Sequence, residues 1–331
     1  MAIDTARPDG GHPAVPLLYI VLPCYNEEAV LPLTAKRLHE KLDELVAAEK
    51  VSPQSRAVFV DDGSSDATWQ IIEGLHGDPS NGSYFCGIKL AHNRGHQNAL
   101  ICGLMEVREW GCDAVVSMDA DLQHDPDAID DMLVKYHEGC EIVNAVRNDR
   151  DTDSWFKRTT AEGFYGLMTK MGAEIIPNSA DFRLLSAEAL DALAEYGEEN
   201  IFLRGMIPML GYKSDIVHYE VAERAAGESK YPASKMIAFA IEGITSLSTK
   251  PIRLITTAGV ITVIFSLAML VYVIVSLASG HVVAGWSSLL ISIWLVGGMI
   301  MISLGIVGEY VGKIYLEAKH RPRYRVERRL R

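Results

Sequence analysis

The sequence predicts an α/β domain built on a mostly parallel sheet and followed by two membrane-spanning helices. Two observations predict the domain: short apolar runs alternate with helix-period segments from about residue 17, and polar clusters follow four of these runs. Such alternation is typical of a parallel sheet covered by helices. A third observation, an uncharged stretch from Leu254 to Gly308, predicts the two helices.

The first strand and helix are the clearest elements of the domain. The run "LLYIVLP" at 17–23 predicts a buried strand, and apolar residues then recur every three or four positions from Leu31 to Leu45. Pro32 lies in the first turn of this helix, where proline is tolerated. Residues 1–16 contain Pro, Gly and Asp but no apolar core, so we expect a flexible N-terminus rather than a signal peptide.

Three further strands with their helices are predicted. The runs "RAVFV", "YFCGIKL" and "AVVSM" indicate strands two to four, and helices are expected from about Asp66, Asn98 and Pro126. Ser65 or Asp66, and likewise Asn98, are candidate helix caps. Five cysteines without paired ligand spacing favour a reduced, cytosolic domain.

The stretch from Leu254 to Gly308 contains no Asp, Glu, Lys or Arg. Gly280, His281 and Gly285 divide it into two apolar segments, each long enough to cross a hydrocarbon core of about 30 Å. The alternative is a helical pair buried in a soluble core, but core helices seldom stay apolar on every face. We therefore predict a transmembrane hairpin at 254–308.

Charge divides the chain into an acidic and a basic part. Residues 250–331 hold ten Lys or Arg against three acids, whereas the first 249 residues hold 21 against 40. The positive-inside rule places both flanks of the hairpin in the cytoplasm. The predicted organisation is a globular domain at 17–231, an amphipathic juxtamembrane helix at 232–253, the hairpin at 254–308 and a basic cytoplasmic tail at 309–331. A core helix is the alternative for 232–253.

Polar residues follow each predicted strand, where ligands bind in open α/β sheets. Pro23, Tyr25 and Glu27 follow strand one, Asp61 and Asp62 strand two, Asn93 strand three, and Asp119, Asp121 and Gln123 strand four. Converging carboxylates repel each other unless a cation lies among them. The oxygen donors after strand four favour Mg²⁺ or Mn²⁺ over zinc, and Mg²⁺ commonly shares substrate phosphates. A nucleotide diphosphate is therefore expected.

The sequence has neither G-x-G-x-x-G nor a P-loop after the first strand, which disfavours a dinucleotide fold and a P-loop NTPase.

The strand-end motifs "PCYNEE", "DDGSSD", "NRGHQNAL" and "DADLQHDP" resemble those of family 2 glycosyltransferases of the GT-A fold. The similarity is closest to polyprenyl-phosphate glycosyltransferases, the group of bactoprenol glucosyltransferases and dolichol-phosphate mannose synthases. It extends through "SADFRLLS", "ERAAGESKYP" and "GEYVGKIYLEAKHRPRY", from about residue 17 to 326. Cys24 departs from the family pattern, in which a small polar residue is more usual.

The resemblance implies a role for each motif. Pro23, Tyr25, Glu27, Asp61 and Asp62 would hold the nucleotide, and Arg147 would lie on a mobile loop over the diphosphate. Asp119 would contact ribose or metal, and Asp121 and Gln123 would bind the metal. The implied reaction is inverting attack by a lipid phosphate on the anomeric carbon of a nucleotide sugar. The implied phosphate-binding residues are Arg204, Arg224, Ser229 and Lys230.

Asp181 and Arg183 leave two interpretations open. They could pair and fix an irregular turn, or Asp181 could lie near the acceptor as a weak base or as the residue that orients a clamp arginine. We therefore include Asp181 with Asp119 and Asp121 as a candidate catalytic residue. His92, His96 and His124 are left out, because histidines beside polar loops are usually satisfied hydrogen-bonding groups.

The expected enzyme transfers a sugar from a UDP-sugar, with glucose the first candidate, to undecaprenyl phosphate at the inner (plasma) membrane. A dolichol-phosphate-mannose type or an amino-sugar donor is the alternative. A processive polysaccharide synthase would need a Gln-x-x-Arg-Trp motif, which the sequence lacks. A non-catalytic nucleotide-sugar scaffold would be expected to lose the metal ligands. Glycines at 297, 298, 305 and 308 favour a homo-oligomer, and no nucleic acid partner is expected.

Overall fold

The structure, a computed structural model, describes residues 11–81, 83–148, 179–199, 201–220, 245, 248–279 and 285–331. The predicted acceptor residues Arg224, Ser229 and Lys230 lie outside the described residues. So does most of the predicted juxtamembrane helix at 232–253, together with the first ten residues.

Strands and helices alternate through the first part of the chain, as predicted. The strands are β1 (Leu18–Cys24), β2 (Arg56–Asp61), β3 (Phe85–Leu90), β4 (Ala114–Ser117), β5 (Ile142–Arg147), β6 (Ser179–Ser186), β7 (Ser214–Tyr219) and β8 (Val326–Leu330). The helices are α1 (Leu31–Ala47), α2 (Thr68–Gly77), α3 (His96–Glu109), α4 (Ala128–His137), α5 (Ala187–Ala194), α6 (Leu203–Met209), α7 (Lys250–Ala278) and α8 (Trp286–Glu317).

The strands form a single sheet in the order β7-β5-β6-β4-β1-β2-β3-β8. The pairs β1 with β2, β1 with β4, β2 with β3, and β5 with β7 are parallel. The pairs β4 with β6, β5 with β6, and β3 with β8 are antiparallel. The predicted mostly parallel sheet is confirmed. Because β1 to β4 run in one direction, the loops that follow them meet at one edge of the sheet.

Side-chain alternation along the central strands produces a core layer on each face of the sheet. Ile20 packs in one buried cluster with Leu38 of α1, and Val21 packs in the other with Leu104 of α3. This is the period of two expected for a strand covered by helices on both sides. All five cysteines are free and buried.

The helix starts follow the sequence prediction to within two residues, but one predicted cap is wrong. Asp66 accepts the Thr68 amide at 3.0 Å and so stabilises the start of α2. Asn98 lies inside the first turn of α3, where its Nδ2 donates to the Arg94 carbonyl at 2.8 Å, and Gly95 is the N-cap. A φ of +87° at Gly95 lets the chain enter this helix earlier than the cap pattern predicts.

Two long helices, α7 and α8, form a separate compact unit. Each contains a segment long and apolar enough to cross a membrane, with mean hydropathy 1.9 at Lys250–Met269 and 1.7 at Ser292–Glu317. None of the described residues in these two segments is buried, and large side chains such as Phe265 and Trp294 are exposed. A core helix would be covered, so the pair indicates membrane association.

Residues 309–331, predicted as a basic cytoplasmic tail, contain the end of α8 and a further strand. Helix α8 continues to Glu317, and Val326–Leu330 adds β8 antiparallel to β3 at the sheet edge. Arg329 forms two hydrogen bonds to Glu106 of α3, at 2.8 and 2.7 Å. The last residues of this basic segment therefore pair with the acidic domain.

Candidate functional site

The loops after β1 and β2 hold each other through backbone and side-chain hydrogen bonds. Asn26, in the left-handed region with a φ of +56°, accepts the Ser65 amide at 2.9 Å and donates its own amide to Ser64 at 3.0 Å. The Glu27 amide donates to Thr68 Oγ1 at 2.8 Å. The motifs "PCYNEE" and "DDGSSD" therefore form one rigid surface at the carboxyl edge of the sheet.

The paired aspartates after β2 have different environments. Both oxygens of Asp62 accept backbone amides, from Arg94 at 2.7 Å and from Gly95 at 2.8 Å. Asp61 is fully buried; its Oδ1 accepts the Ser64 amide at 3.0 Å, and its Oδ2 has no hydrogen-bond partner within the described part of the chain. Burial raises the pKa of both carboxyl groups. Because Asp62 accepts the amides of Arg94 and Gly95, it fixes the loop after β3 to the loop after β2.

Gly63 is required where these two loops touch. Its φ is +69°, and a Cβ at this position would lie 2.7 Å from the backbone of both His92 and Asn93. Any other residue would have to displace the loop after β3.

A cleft of about 300 Å³ opens between these loops. Four of the predicted nucleotide residues line it, namely Pro23, Tyr25, Glu27 and Asp62, together with Cys24, Asn93, Gly95, His96 and Ala99. Asp61, Asp119 and Arg147 are not among the lining residues. The structure therefore brings together the first and second motifs as predicted and adds the third.

The acidic motif after β4 folds into a tight turn. Asp121 Oδ1 accepts the Gln123 amide at 3.1 Å, and Leu122 between them has a φ of +60°. A branched residue rarely adopts this conformation, and such strain concentrates at functional sites. Asp119 remains about one-third exposed, at 35%. Within the described ranges no cluster of three His, Cys, Asp or Glu side chains could hold a metal ion.

His124 stabilises this turn from the buried side. It is fully buried, and its Nδ1 accepts the Asp119 amide at 3.0 Å. Because Nδ1 is an acceptor, Nε2 carries the proton; Nε2 lies 3.6 Å from Asp119 Oδ2. The ring stacks on Phe182 with centroids 4.9 Å apart. Burial lowers the pKa of His124, so the imidazole is neutral.

His96 lies between the acidic motif and β6. It is the first residue of α3, and its Nε2 is 3.5 Å from Asp119 Oδ1 and 3.7 Å from Asp181 Oδ2. Burial acts to lower the pKa of His96, but the nearby Asp181 carboxylate and the negative charge of Asp119 outweigh it and raise the pKa. The imidazole is therefore favoured in its charged form between two carboxylates.

Asp181 is the centre of a buried polar cluster. Its carboxylate accepts hydrogen bonds from Arg183 at 2.8 Å, from Gln97 at 3.1 Å and from Arg204 at 3.3 and 3.4 Å. Burial acts to raise the pKa of Asp181, but the nearby His96 and the charges of Arg204 and Arg183 hold it well below its usual range. Asp181 and Arg183 do pair, as one interpretation required, but on the regular strand β6 rather than in an irregular turn.

Arg147 is the last residue of β5 rather than part of a loop, and its Nε donates to the Tyr219 hydroxyl at 3.3 Å. The chain that follows it, from residue 149 to 178, lies outside the described residues.

Three further polar residues contribute to this region: Gln97, which the sequence did not single out, and His96 and His124, which were set aside as satisfied hydrogen-bonding groups. Each lies inside one of the motifs that carry the family resemblance. The available signal was position, because α3 and the turn after β4 both begin at the carboxyl edge of the sheet. Their contacts join segments far apart in sequence, which motif spacing does not report.

The comparisons with known proteins agree with the predicted family. The sequence profile of Glycosyl transferase family 2 matches residues 19–194. An uncharacterized glycosyltransferase of Bacillus subtilis, YkoT, is 47% identical over 94% of this chain and 91% of its own length. The bactoprenol glucosyl transferase of Shigella phage SfV is 38% identical over 92% of this chain and 96% of its own.

A prophage bactoprenol glucosyl transferase homolog of Escherichia coli is 37% identical, covering 93% of this chain and 98% of its own. Among solved structures, glucosyl-3-phosphoglycerate synthase of Mycobacterium tuberculosis aligns with a TM-score of 0.45 and 18% identity, covering 70% of this chain and 79% of that one.

Proposed function

The chain belongs to glycosyl transferase family 2, and from that premise we propose that it transfers a sugar from a UDP-sugar to a polyprenyl phosphate. The bactoprenol glucosyl transferases that are 37–38% identical over more than nine-tenths of the chain support this acceptor class. They also favour glucose as the sugar and undecaprenyl phosphate as the lipid.

The observation that carries the proposal is the short path between the acidic turn and the arginine cluster. Asp119 lies 3.5 Å from His96, His96 lies 3.7 Å from Asp181, and Asp181 binds Arg204 at 3.3 Å. A diphosphate held at the acidic turn and a phosphate held at Arg204 would therefore be neighbours. Such proximity is what direct transfer between two anionic substrates requires.

Asp119, Asp121 and Gln123 would hold a divalent cation at this turn. Their donors are hard oxygens, and Asp119 is accessible, which suits Mg²⁺ or Mn²⁺. Since the described residues contain no group of three His, Cys, Asp or Glu side chains that could hold a metal ion by themselves, an ion here would take further ligands from substrate phosphates. When bound, it would supply positive charge for the departing diphosphate.

The acceptor needs little help from a general base, because a phosphate monoester with a second pKa near 6 is already largely ionised at neutral pH. Arg204 would bind it together with Arg224, Ser229 and Lys230. The lowered pKa of Asp181 and its hydrogen bonds favour the role of orienting Arg204 over that of a base. The transfer would proceed by inversion at the anomeric carbon.

The two apolar helices would span the inner, plasma membrane, with the catalytic domain in the cytoplasm. Basic residues flank them on both ends, among them Arg253 and Lys319. A Cβ added at Gly297, Gly298, Gly305 or Gly308 would meet no atom of another element among the described residues, so a second copy of the chain could pack closely there.

The test is a transfer assay with the purified full chain, Mg²⁺, undecaprenyl phosphate and a panel of radiolabelled nucleotide sugars, followed by organic extraction. Label from UDP-glucose entering the lipid phase supports the proposal. The matched control is Asp121→Asn, which keeps the side-chain oxygen that accepts the Gln123 amide but removes the charge. Lipid labelling from another nucleotide sugar would correct the donor, and no labelling from any donor would contradict the proposed reaction.

A further inference from the structure

We propose that His96 is a positioning residue that couples the two substrate sites, so that a ligand at Asp119 strengthens phosphate binding at Arg204. The inference rests on the proposed function, because it deepens the relation between its donor and acceptor sites. One ring nitrogen of His96, Nε2, lies 3.5 Å from Asp119 Oδ1 and 3.7 Å from Asp181 Oδ2. A single N–H can make a good hydrogen bond to only one of them.

The backbone beneath His96 is fixed, so the choice between the two carboxylates falls to the side chain. The preceding residue, Gly95, donates its amide to buried Asp62 at 2.8 Å. His96 is also the first residue of α3, whose next turns pack against β1 and β2. Small rotations of the ring are therefore the available movement.

Asp181 is the shared element on the acceptor side. Its carboxylate is 3% exposed and holds Arg183 at 2.8 Å and Gln97 at 3.1 Å. Arg204 is bound less closely, at 3.3 and 3.4 Å, and its side chain is 30% exposed. Unlike Arg183, whose side chain is 3% exposed, Arg204 has an accessible side chain, and a further donor on Asp181 would weaken the hold of Asp181 on Arg204.

The two sites are coupled through this competition. While Asp119 has no ligand, it attracts His96, and Asp181 holds Arg204. A ligand that engages Asp119 releases the imidazole toward Asp181, where it displaces Arg204 toward an incoming phosphate. By thermodynamic linkage, phosphate at Arg204 strengthens binding at Asp119 by the same factor.

The coupling can be measured without turnover. Calorimetric titration of the full chain in detergent would give the Kd of UDP with Mn²⁺, alone and with saturating farnesyl monophosphate. We expect farnesyl monophosphate to tighten UDP binding by about tenfold, within the usual range of coupling between sites. In His96→Ala the effect should fall below about twofold, while each ligand still binds alone. His96→Gln, which keeps a side-chain N–H donor, should restore part of it.

Two further variants make the test specific. His218→Ala removes an exposed histidine on β7 and should retain the full coupling. Asp119→Asn should weaken the attraction of His96 to the donor side, so farnesyl monophosphate alone should bind more tightly than to the wild type.

Two outcomes would overturn the inference: unchanged coupling in a folded His96→Ala variant, or a wild-type protein that binds both ligands without any coupling between them. Failure of the wild type to bind UDP would contradict the proposed function as well.

Discussion

The backbone amide of Asp119 donates to Nδ1 of His124, 3.0 Å away, so a fully buried imidazole fixes the start of the acidic turn. The contact is local in sequence, but the ring is held in place by Phe182 on β6 and Tyr219 on β7. The antiparallel strand β6 and the strand β7, which pairs in parallel with β5, thereby position a motif that follows β4.

Replacing His124 should therefore weaken donor binding through the turn. We expect His124→Ala to raise the Kd of UDP with Mn²⁺ by about 10–100-fold, the usual effect of removing a group that orients metal ligands. His124→Asn should recover most of the affinity, because its side-chain oxygen can accept the Asp119 amide. Calorimetry on both variants, with thermal unfolding as the folding control, measures this. Wild-type affinity in the alanine variant would show that the turn does not need the imidazole.

The strands that the sequence predicted are those made of uninterrupted apolar residues. β1 to β4 were found within one residue of their ends, because each is a short apolar run between polar loops. β6 was missed as a strand although all eight of its residues are buried, since Asp181 and Arg183 interrupt the apolar pattern. Their burial is possible because they pair with each other and because Asp181 also binds Arg204, which lies 23 residues further along the chain.

The candidate site was predicted in part for the same reason. Pro23, Tyr25, Glu27 and Asp62 follow strands whose order was predicted, and they meet in one cleft. The bridge from Asp119 through His96 to Asp181 depends on the position of β6 beside β4, which nothing in the spacing of these residues specifies.

Gly63→Ala should damage both folding and donor binding. The variant would place a Cβ 2.7 Å from the backbone of His92 and Asn93 at a φ of +69°. We expect a loss of about 2 kcal/mol in unfolding free energy from the backbone conformation and the displaced loop. Because that loop lines the cleft, UDP affinity should fall too.

The matched control for Gly63 is Gly74→Ala in α2, where a built Cβ has no neighbour within 4 Å. This substitution should stabilise the protein by about 0.5–1 kcal/mol, because alanine favours a helix interior. Thermal and urea unfolding of both variants measures the contrast. Equal effects at the two glycines would contradict the close approach of the loops.

Lys41 links α1 to α4 and should make stability depend on pH. It is 3% exposed and binds Asp127 at 2.8 Å and also Asp130. The Lys41 hydrogen bond lowers the pKa of Asp127; burial acts to raise the pKa of Asp130, but hydrogen bonds from Lys41 and Lys50 outweigh it and lower the pKa. Carboxyl groups with lowered pKa stabilise the fold above their unfolded value, near 3.9, and lose that contribution as pH falls through the folded value.

Lys41→Met should therefore lower the unfolding free energy by about 1 kcal/mol at pH 7, a figure that is reduced because the acids are partly exposed. Below about pH 4 the loss should become progressively smaller. Urea unfolding at pH 7 and at low pH measures the difference. Lys50→Met, which removes a half-exposed lysine 2.5 Å from Asp130, should cost less. A Lys41 effect that is the same at both pH values would exclude the carboxylates as its cause.

Two adjacent arginines of β8 have carboxylate partners that differ in exposure. Arg329 makes two hydrogen bonds to Glu106, whose side chain is 8% exposed, whereas Arg328 pairs at 2.5 Å with Glu73, whose side chain is 34% exposed. Removing Arg329 leaves a nearly buried carboxylate without its bidentate partner, which costs about 1–3 kcal/mol. Removing Arg328 leaves an accessible carboxylate that water can solvate, which costs about 0–1 kcal/mol.

Arg329→Ala should thus lower the unfolding free energy of the full chain more than Arg328→Ala. Adding Glu106→Gln to Arg329→Ala should recover part of the loss. If both arginine variants unfold alike and Glu106→Gln recovers nothing, β8 is not held on the sheet by this pair.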